Sequence, residues 1–156
     1  MNAEDDSEGP ASTHPHTVGH VHLKVRDLER ALEFYRSVLG LGLTEREGRY
    51  AFLSWGERHH DVALQEVGAG ADGPGHGVGL YHVAFEVETP AALANVYEDL
   101  RAREVQVSPV DHGISKALYF ADPDGNGVEV YLDTRASRDE SAWEGRNEHF
   151  DPTKLE

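Results

Sequence analysis

The chain has 156 residues and carries 29 acidic against 14 basic side chains, a formal charge of −15. So acidic a surface argues against nucleic acid and anionic membranes, both of which select a basic face. Cysteine is absent, which excludes disulfide scaffolds, cysteine-ligated zinc or iron–sulfur sites and thiol catalysis. No apolar run approaches the ~20 residues of a membrane span. The start, Met1-Asn2-Ala3-Glu4-Asp5-Asp6, is the reverse of a secretory leader. A soluble cytoplasmic protein is expected. The scarcity of lysine (Lys24, Lys116 and Lys154 only) fits a salt-rich cytoplasm and a GC-rich genome equally well. Ten histidines are the more informative surplus.

Residues 1–17 are polar, acidic and broken by Gly9, Pro10 and Pro15, and read as a disordered arm in which His14 and His16 are solvated. From Gly19 to Val25 apolar and polar residues alternate. Val21, Leu23 and Val25 fall on one face and His20, His22 and Lys24 on the other, the pattern of a half-buried strand. Asp27 then caps a helix whose stripe is Leu28, Ala31, Leu32, Tyr35, Val38 and Leu39, with Gly40 as its stop. Strand candidates follow at 41–46, 49–55 and 61–67. Residues 18–67 therefore make one βαβββ module.

Residues 68–79, with six glycines and Pro74, form a flexible connection. The pattern then restarts. Leu80–Val87 contains a second alternating strand, Thr89-Pro90 is an N-cap followed by a proline at the first helical position, and Ala92, Leu93, Val96, Tyr97 and Leu100 form a helical stripe. Strands near 105–110, 117–121 and 127–132 complete a second module over 80–133, with Asp122–Gly127 as a turn. A polar C-terminal tail occupies 134–156. The fold expected is α+β: two βαβββ modules paired around a cleft between curved sheets.

Alternation also assigns the faces. If Val21, Leu23 and Val25 pack on the first helix, His20 and His22 face the cleft; by the same logic His82 faces it from the second module. In the last strand Val128, Val130 and Leu132 pack, leaving Glu129 and Tyr131 to the cleft. Singly, each of these is more often a surface residue than a ligand. Histidine at equivalent points of both repeats, together with a glutamate, is the 2-His-1-carboxylate set that suits non-haem Fe(II) oxygen chemistry. His22 reads as cleft lining, not as a fourth ligand.

The two modules, the helix end Phe34-Tyr35-Arg36-Ser37-Val38-Leu39-Gly40 and the strand histidines resemble the vicinal oxygen chelate superfamily, over roughly residues 18–133. That superfamily spans glyoxalase I, fosfomycin-resistance proteins, methylmalonyl-CoA epimerase, bleomycin-binding proteins and type I extradiol catechol dioxygenases. The run Val110, Asp111, His112, Leu118, Tyr119, Asp122, Pro123, Gly125 and Glu129 is similar to the extradiol dioxygenase signature. Arg58–Leu64 resembles the segment carrying the acid–base histidine of dihydroxybiphenyl-type enzymes. Trp143, Gly145, Asp151-Pro152 and Leu155 resemble, more weakly, the ends of some one-domain members.

The resemblance implies Fe(II), with Mn(II) as a second candidate, held by His20, His82 and Glu129. The substrates would be a small aromatic diol and O2, and the assembly a homo-oligomer. It makes His60 the acid–base group, Tyr119 a hydrogen-bond partner of the bound catecholate, and His112 a support for substrate. His59, His76 and His149 receive no role. Two features depart from the family: many extradiol enzymes are about twice as long, and the linker is longer and richer in glycine. The nearest rival is a glyoxalase-I-like isomerase on Zn or Ni, which requires a further glutamate from 61–66, where Gln65 and Glu66 stand. A fosfomycin-type transferase needs a basic cleft that the sequence lacks. A bleomycin-type sequestering protein has no such triad.

Overall fold

The computed structural model describes residues 12–155; eleven residues of the expected acidic arm, 1–11, lie outside that range, and 12–17 are exposed. The first module runs β1 (Val21–Val25), α1 (Leu28–Leu39), β2 (Gly42–Glu47), β3 (Tyr50–Ser54) and β4 (Val62–Glu66). The Asp27 side chain accepts from the Arg30 amide at 2.8 Å, satisfying an amide that the first helical turn leaves unpaired. Gly40 ends the helix in the left-handed region at φ 67°, where a side chain would be strained. The sheet order is β1-β4-β3-β2, with β1 and β4 parallel.

The second module repeats this with β5 (Val83–Val87), α2 (Pro90–Ala102), β6 (Ser108–Asp111), β7 (Ser115–Ala121) and β8 (Gly127–Asp133). Thr89 caps α2 by accepting from the Ala92 amide. Its sheet has the order β5-β8-β7-β6-β9, with β5 and β8 parallel.

The short strand β9 (Glu148–His149) comes from the polar tail. It pairs with β6, opposite Val110 and Asp111. Phe150 and Leu155 pack on the hydrophobic core and Pro152 is buried in a 3-10 turn (Pro152–Lys154). The tail is thus pinned by only a few apolar residues. A short helix α3 (Arg135–Arg138) leads into it. No helix among the described residues is long and apolar enough to cross a membrane.

Both modules contribute to one core. Leu23 and Val25 of β1, Leu53 of β3, Val62 and Leu64 of β4, and Val128 and Val130 of β8 cluster with Leu28, Tyr35, Leu93 and Leu100 of the two helices. The helices touch each other as well as their own sheets. The apolar faces predicted from alternation are therefore the ones that meet in the core, and the opposite face of each sheet lies outside it. Polar contacts fix the junction: Asp124 accepts from the Arg26 amide and guanidinium and from Arg30, and Asn126 donates to the Lys24 carbonyl.

Candidate metal and substrate site

β5 and β8 lie side by side with Ala84 opposite Glu129, so His82 and Glu129 share the face turned away from the core. Their side chains meet, His82 Nε2 lying 2.8 Å from Glu129 Oε2. His82 Nδ1 is buried and has no hydrogen-bond partner among the described residues. β7 places Tyr119 directly across from Glu129. Burial, followed by the Glu129 charge, pushes the Tyr119 phenol up to about 12, so it is protonated and a hydrogen-bond donor at neutral pH.

His112 lies just beyond β6, with Nε2 at 2.8 Å from the Tyr119 hydroxyl and Nδ1 at 3.2 Å from the Arg146 carbonyl. A carbonyl only accepts, so Nδ1 carries the imidazole proton and Nε2 accepts from Tyr119. The tail thus sets the His112 tautomer. Trp143 packs edge-on against the same imidazole.

His82, Tyr119 and His112 border a cleft of about 850 Å³ whose other walls include His76, Tyr81 and Asn147. The linker and the tail supply those walls. His76 and Asn147 had no signal in the sequence, because a glycine-rich loop and a polar tail carry no periodicity that places a side chain.

The first module gathers a different cluster. The His20 and His60 rings lie 4.5 Å apart, and His60 also packs on Phe52 and His59. Arg58 donates to the carbonyls of Val18 and Gly19 and so ties the His60 loop to the approach to β1. Burial, then the neighbouring His20 and His59, hold the His60 imidazole below its ordinary value. His22 shares the His20 face beside Tyr50, and His59 is paired with Glu45. His149 is exposed on β9.

His20 does not reach His82 and Glu129 within the chain. Among the described residues no three His, Asp or Glu side chains come together as a metal site. The strand geometry gives the reason. Asn126, next to the Gly127 that abuts His82, bonds the carbonyl of Lys24 at the far end of β1. Four residues of strand separate Lys24 from His20, about 13 Å at the usual rise. The chain therefore brings two of the three expected donors, His82 and Glu129, together and leaves the third, His20, beside His60.

Register also disposes of one donor a glyoxalase centre would need. Leu23 pairs with Leu64 and Val25 with Glu66, so Glu66 lies on the core side of β4. There it accepts from the Leu28 amide at 2.8 Å, at the start of α1. Gln65, opposite Lys24, is on the histidine face but is a neutral amide.

Comparison with known proteins supplies the family. Residues 17–130 match the Glyoxalase/Bleomycin resistance protein/Dioxygenase superfamily. The chain belongs to that superfamily. It is 34% identical over 128 residues, 81% of this chain, to a catechol-2,3-dioxygenase of Bacillus subtilis, but spans only 44% of that relative's length. A probable lactoylglutathione lyase of Synechocystis is 27% identical over 77% of this chain and 97% of its own. Among solved structures, a glyoxylase/bleomycin resistance protein/dioxygenase domain from Frankia has a TM-score of 0.66 at 26% identity, covering 77% of this chain and 99% of its own. Superfamily membership thus accounts for the paired modules, and both dioxygenase and lyase relatives occur.

Proposed function

We propose that the protein is an extradiol dioxygenase, which opens a catechol-type ring beside its two hydroxyls and adds both atoms of O2. The observation that carries this reading is the convergence of His82, Tyr119 and His112 on one cleft, with Glu129 at 2.8 Å from His82 and Tyr119 at 2.8 Å from His112; His112, Tyr119 and Glu129 come from the stretch that resembles the dioxygenase signature. Iron(II), or manganese(II), is the cofactor proposed: His82 and Glu129 are the two donors the chain brings together, His20 stands apart from them, and the metal would supply the activation of O2. The chain's own groups do the rest. Tyr119, its proton directed at His112, turns its oxygen lone pairs to a phenol of the substrate. His60, neutral at pH 7, takes a proton from the diol and later returns it. Tyr81 and the linker offer an apolar wall for an aromatic ring.

The 97% coverage of the lyase relative supports a glyoxalase-type isomerase as a second reading. Glu66 speaks against it, since its carboxylate is committed to the Leu28 amide on the core side of β4. The deciding experiment loads the protein with Fe(II) without oxygen, adds catechols of different size and admits air. Oxygen uptake with a yellow product supports ring cleavage. No turnover of any catechol, with isomerisation of a glutathione hemithioacetal, overturns it.

A further inference from the structure

We infer that the linker span 75–80 is a specificity element: positioned by Arg26 and Pro74, it closes over the cleft on an uncharged substituent of the substrate. This deepens the dioxygenase reading above and rests on it for the identity of the diol. The linker is fastened at one point by an unusual set of contacts. Arg26, the residue after β1, donates from Nε to the Ala71 carbonyl at 2.9 Å, while its Nη1 donates to Asp124 Oδ1 at 3.2 Å. A Cβ at Gly73 would lie 3.4 Å from Arg26 Nη2, so the guanidinium sits against the linker backbone. Pro74 rests on the turn before β8, where a Cβ at Gly125 would lie 3.4 Å from Pro74 Cδ. One side chain thus ties the end of β1, the linker and the second module together.

Beyond this pin the chain is free. Residues 75–80 are exposed, belong to no helix or strand and make no backbone hydrogen bond among the described residues. The backbone is held again at Tyr81, whose carbonyl abuts Gly127. A span fixed at both ends and unbonded between them, with glycine at 75, 77 and 79, moves at little cost. Yet His76 and Leu80 of this span, followed by Tyr81, line the cleft.

The chemistry of the cleft says what the span closes on. Leu80 and Tyr81 are 74% and 89% exposed, and Val110 of β6 and Phe120 of β7 add apolar surface to the same cleft. On a chain of −15, no Lys, Arg, Asp or Glu among the described residues lines it. Large exposed apolar side chains at the rim of a concave site mark where an apolar ligand is covered. A carboxylate there would lose its hydration without a cation to meet it. The occupant is therefore the uncharged substituent that the diol carries.

Hydrogen–deuterium exchange of the full chain tests this, with Fe(II) under anaerobic conditions. 3-Phenylcatechol should slow exchange over 75–80 by about tenfold or more, and 3,4-dihydroxybenzoate should not. Arg26→Lys keeps a charge beside Asp124 but lacks the Nε donor to Ala71, and Pro74→Ala removes the contact with the Gly125 turn. Each, like Leu80→Ser, should lower the ratio of kcat/KM for 3-phenylcatechol to that for catechol by roughly tenfold. Circular dichroism verifies folding; Pro74 and Leu80 are exposed, so their variants decide the matter if Arg26→Lys does not fold. Exchange over 75–80 unchanged by 3-phenylcatechol, equal protection by 3,4-dihydroxybenzoate, or an unchanged ratio in Pro74→Ala and Leu80→Ser overturns the proposal. So does protection that rises with protein concentration alone, since a second copy would then be what covers the span. Protection by 3-phenylcatechol without turnover of any catechol keeps the span's role and removes the dioxygenase reading. Turnover of catechols without protection does the reverse.

Discussion

Tyr35 of α1 donates a 2.7 Å hydrogen bond to Asp122 Oδ2, in the turn before β8, and thereby joins the two modules through the core. Both groups are buried. The phenol is pushed far up by burial and by the Asp122 charge, so it remains a donor across the accessible pH range. Asp122 also accepts from the Asp124 and Asn126 amides, and so shapes the turn that leads to Glu129.

Replacing Tyr35 by Phe removes the donor and leaves one carboxylate oxygen with Asn126 Nδ2 alone. A lost hydrogen bond to a charged, buried acceptor costs about 1.5–3 kcal/mol. For a chain of this size that lowers the melting temperature by roughly 3–12 °C. Thermal unfolding followed by circular dichroism measures it; an unchanged Tm would show that the bond contributes nothing net.

Acid should release the tail. Arg138 grips Asp111 through two bonds of 2.7 Å, and Gly113 donates to the same carboxylate. The Arg138 bonds, with help from the Gly113 amide, hold Asp111 down to about 2. Because the folded value lies below the ordinary one of about 4, this stabilisation is present above pH 4 and is lost as pH falls toward 2. It amounts to on the order of 2 kcal/mol. Asp111→Asn should be less stable than wild type at pH 7, and the gap should close toward pH 2. A gap independent of pH in denaturant titrations would contradict the assignment.

The order of elements, their caps and the inward and outward faces of β1, β5 and β8 were legible in the sequence, because period and capping chemistry are local. Asp27, Gly40 and Thr89-Pro90 mark the ends where the chain places them, and His20 and His82 do lie opposite the core. What alternation cannot give is where two faces lie relative to each other. That depends on how the helices pack, and here α1 and α2 share one core that keeps His20 from His82. The role of Glu66 was similarly hidden, since adjacent residues Gln65 and Glu66 differ only by register. Docking of the tail rests on Pro152, Phe150 and Leu155, too sparse a signal in a polar run.

His60 gives a pH signature. Its imidazole is held below the ordinary value of about 6.5, chiefly by burial and then by His20. It is therefore neutral at pH 7, and catechol turnover that uses it as a base should fall as pH drops through that lowered value. His60→Phe should retain iron, slow turnover by about 10²-fold or more, and abolish the acid limb of the profile. An unaltered rate would remove His60 from the chemistry.

Gly127 tests whether the position of His82 matters apart from its identity. A Cβ there would lie 2.5 Å from the Tyr81 carbonyl oxygen and 3.2 Å from the His82 Cβ. The obstruction is backbone, and β5 is held to β8 by its ladder, so the start of β5 must shift and carry His82 away from Glu129. Overpacking of this kind costs about 1–3 kcal/mol. Gly127→Ala should lose both stability and iron with every proposed ligand present. Gly79→Ala, where a Cβ meets nothing within 4 Å, is the matched control and should change neither. Iron loading of Gly127→Ala equal to that of Gly79→Ala would mean that the His82–Glu129 spacing does not govern metal retention.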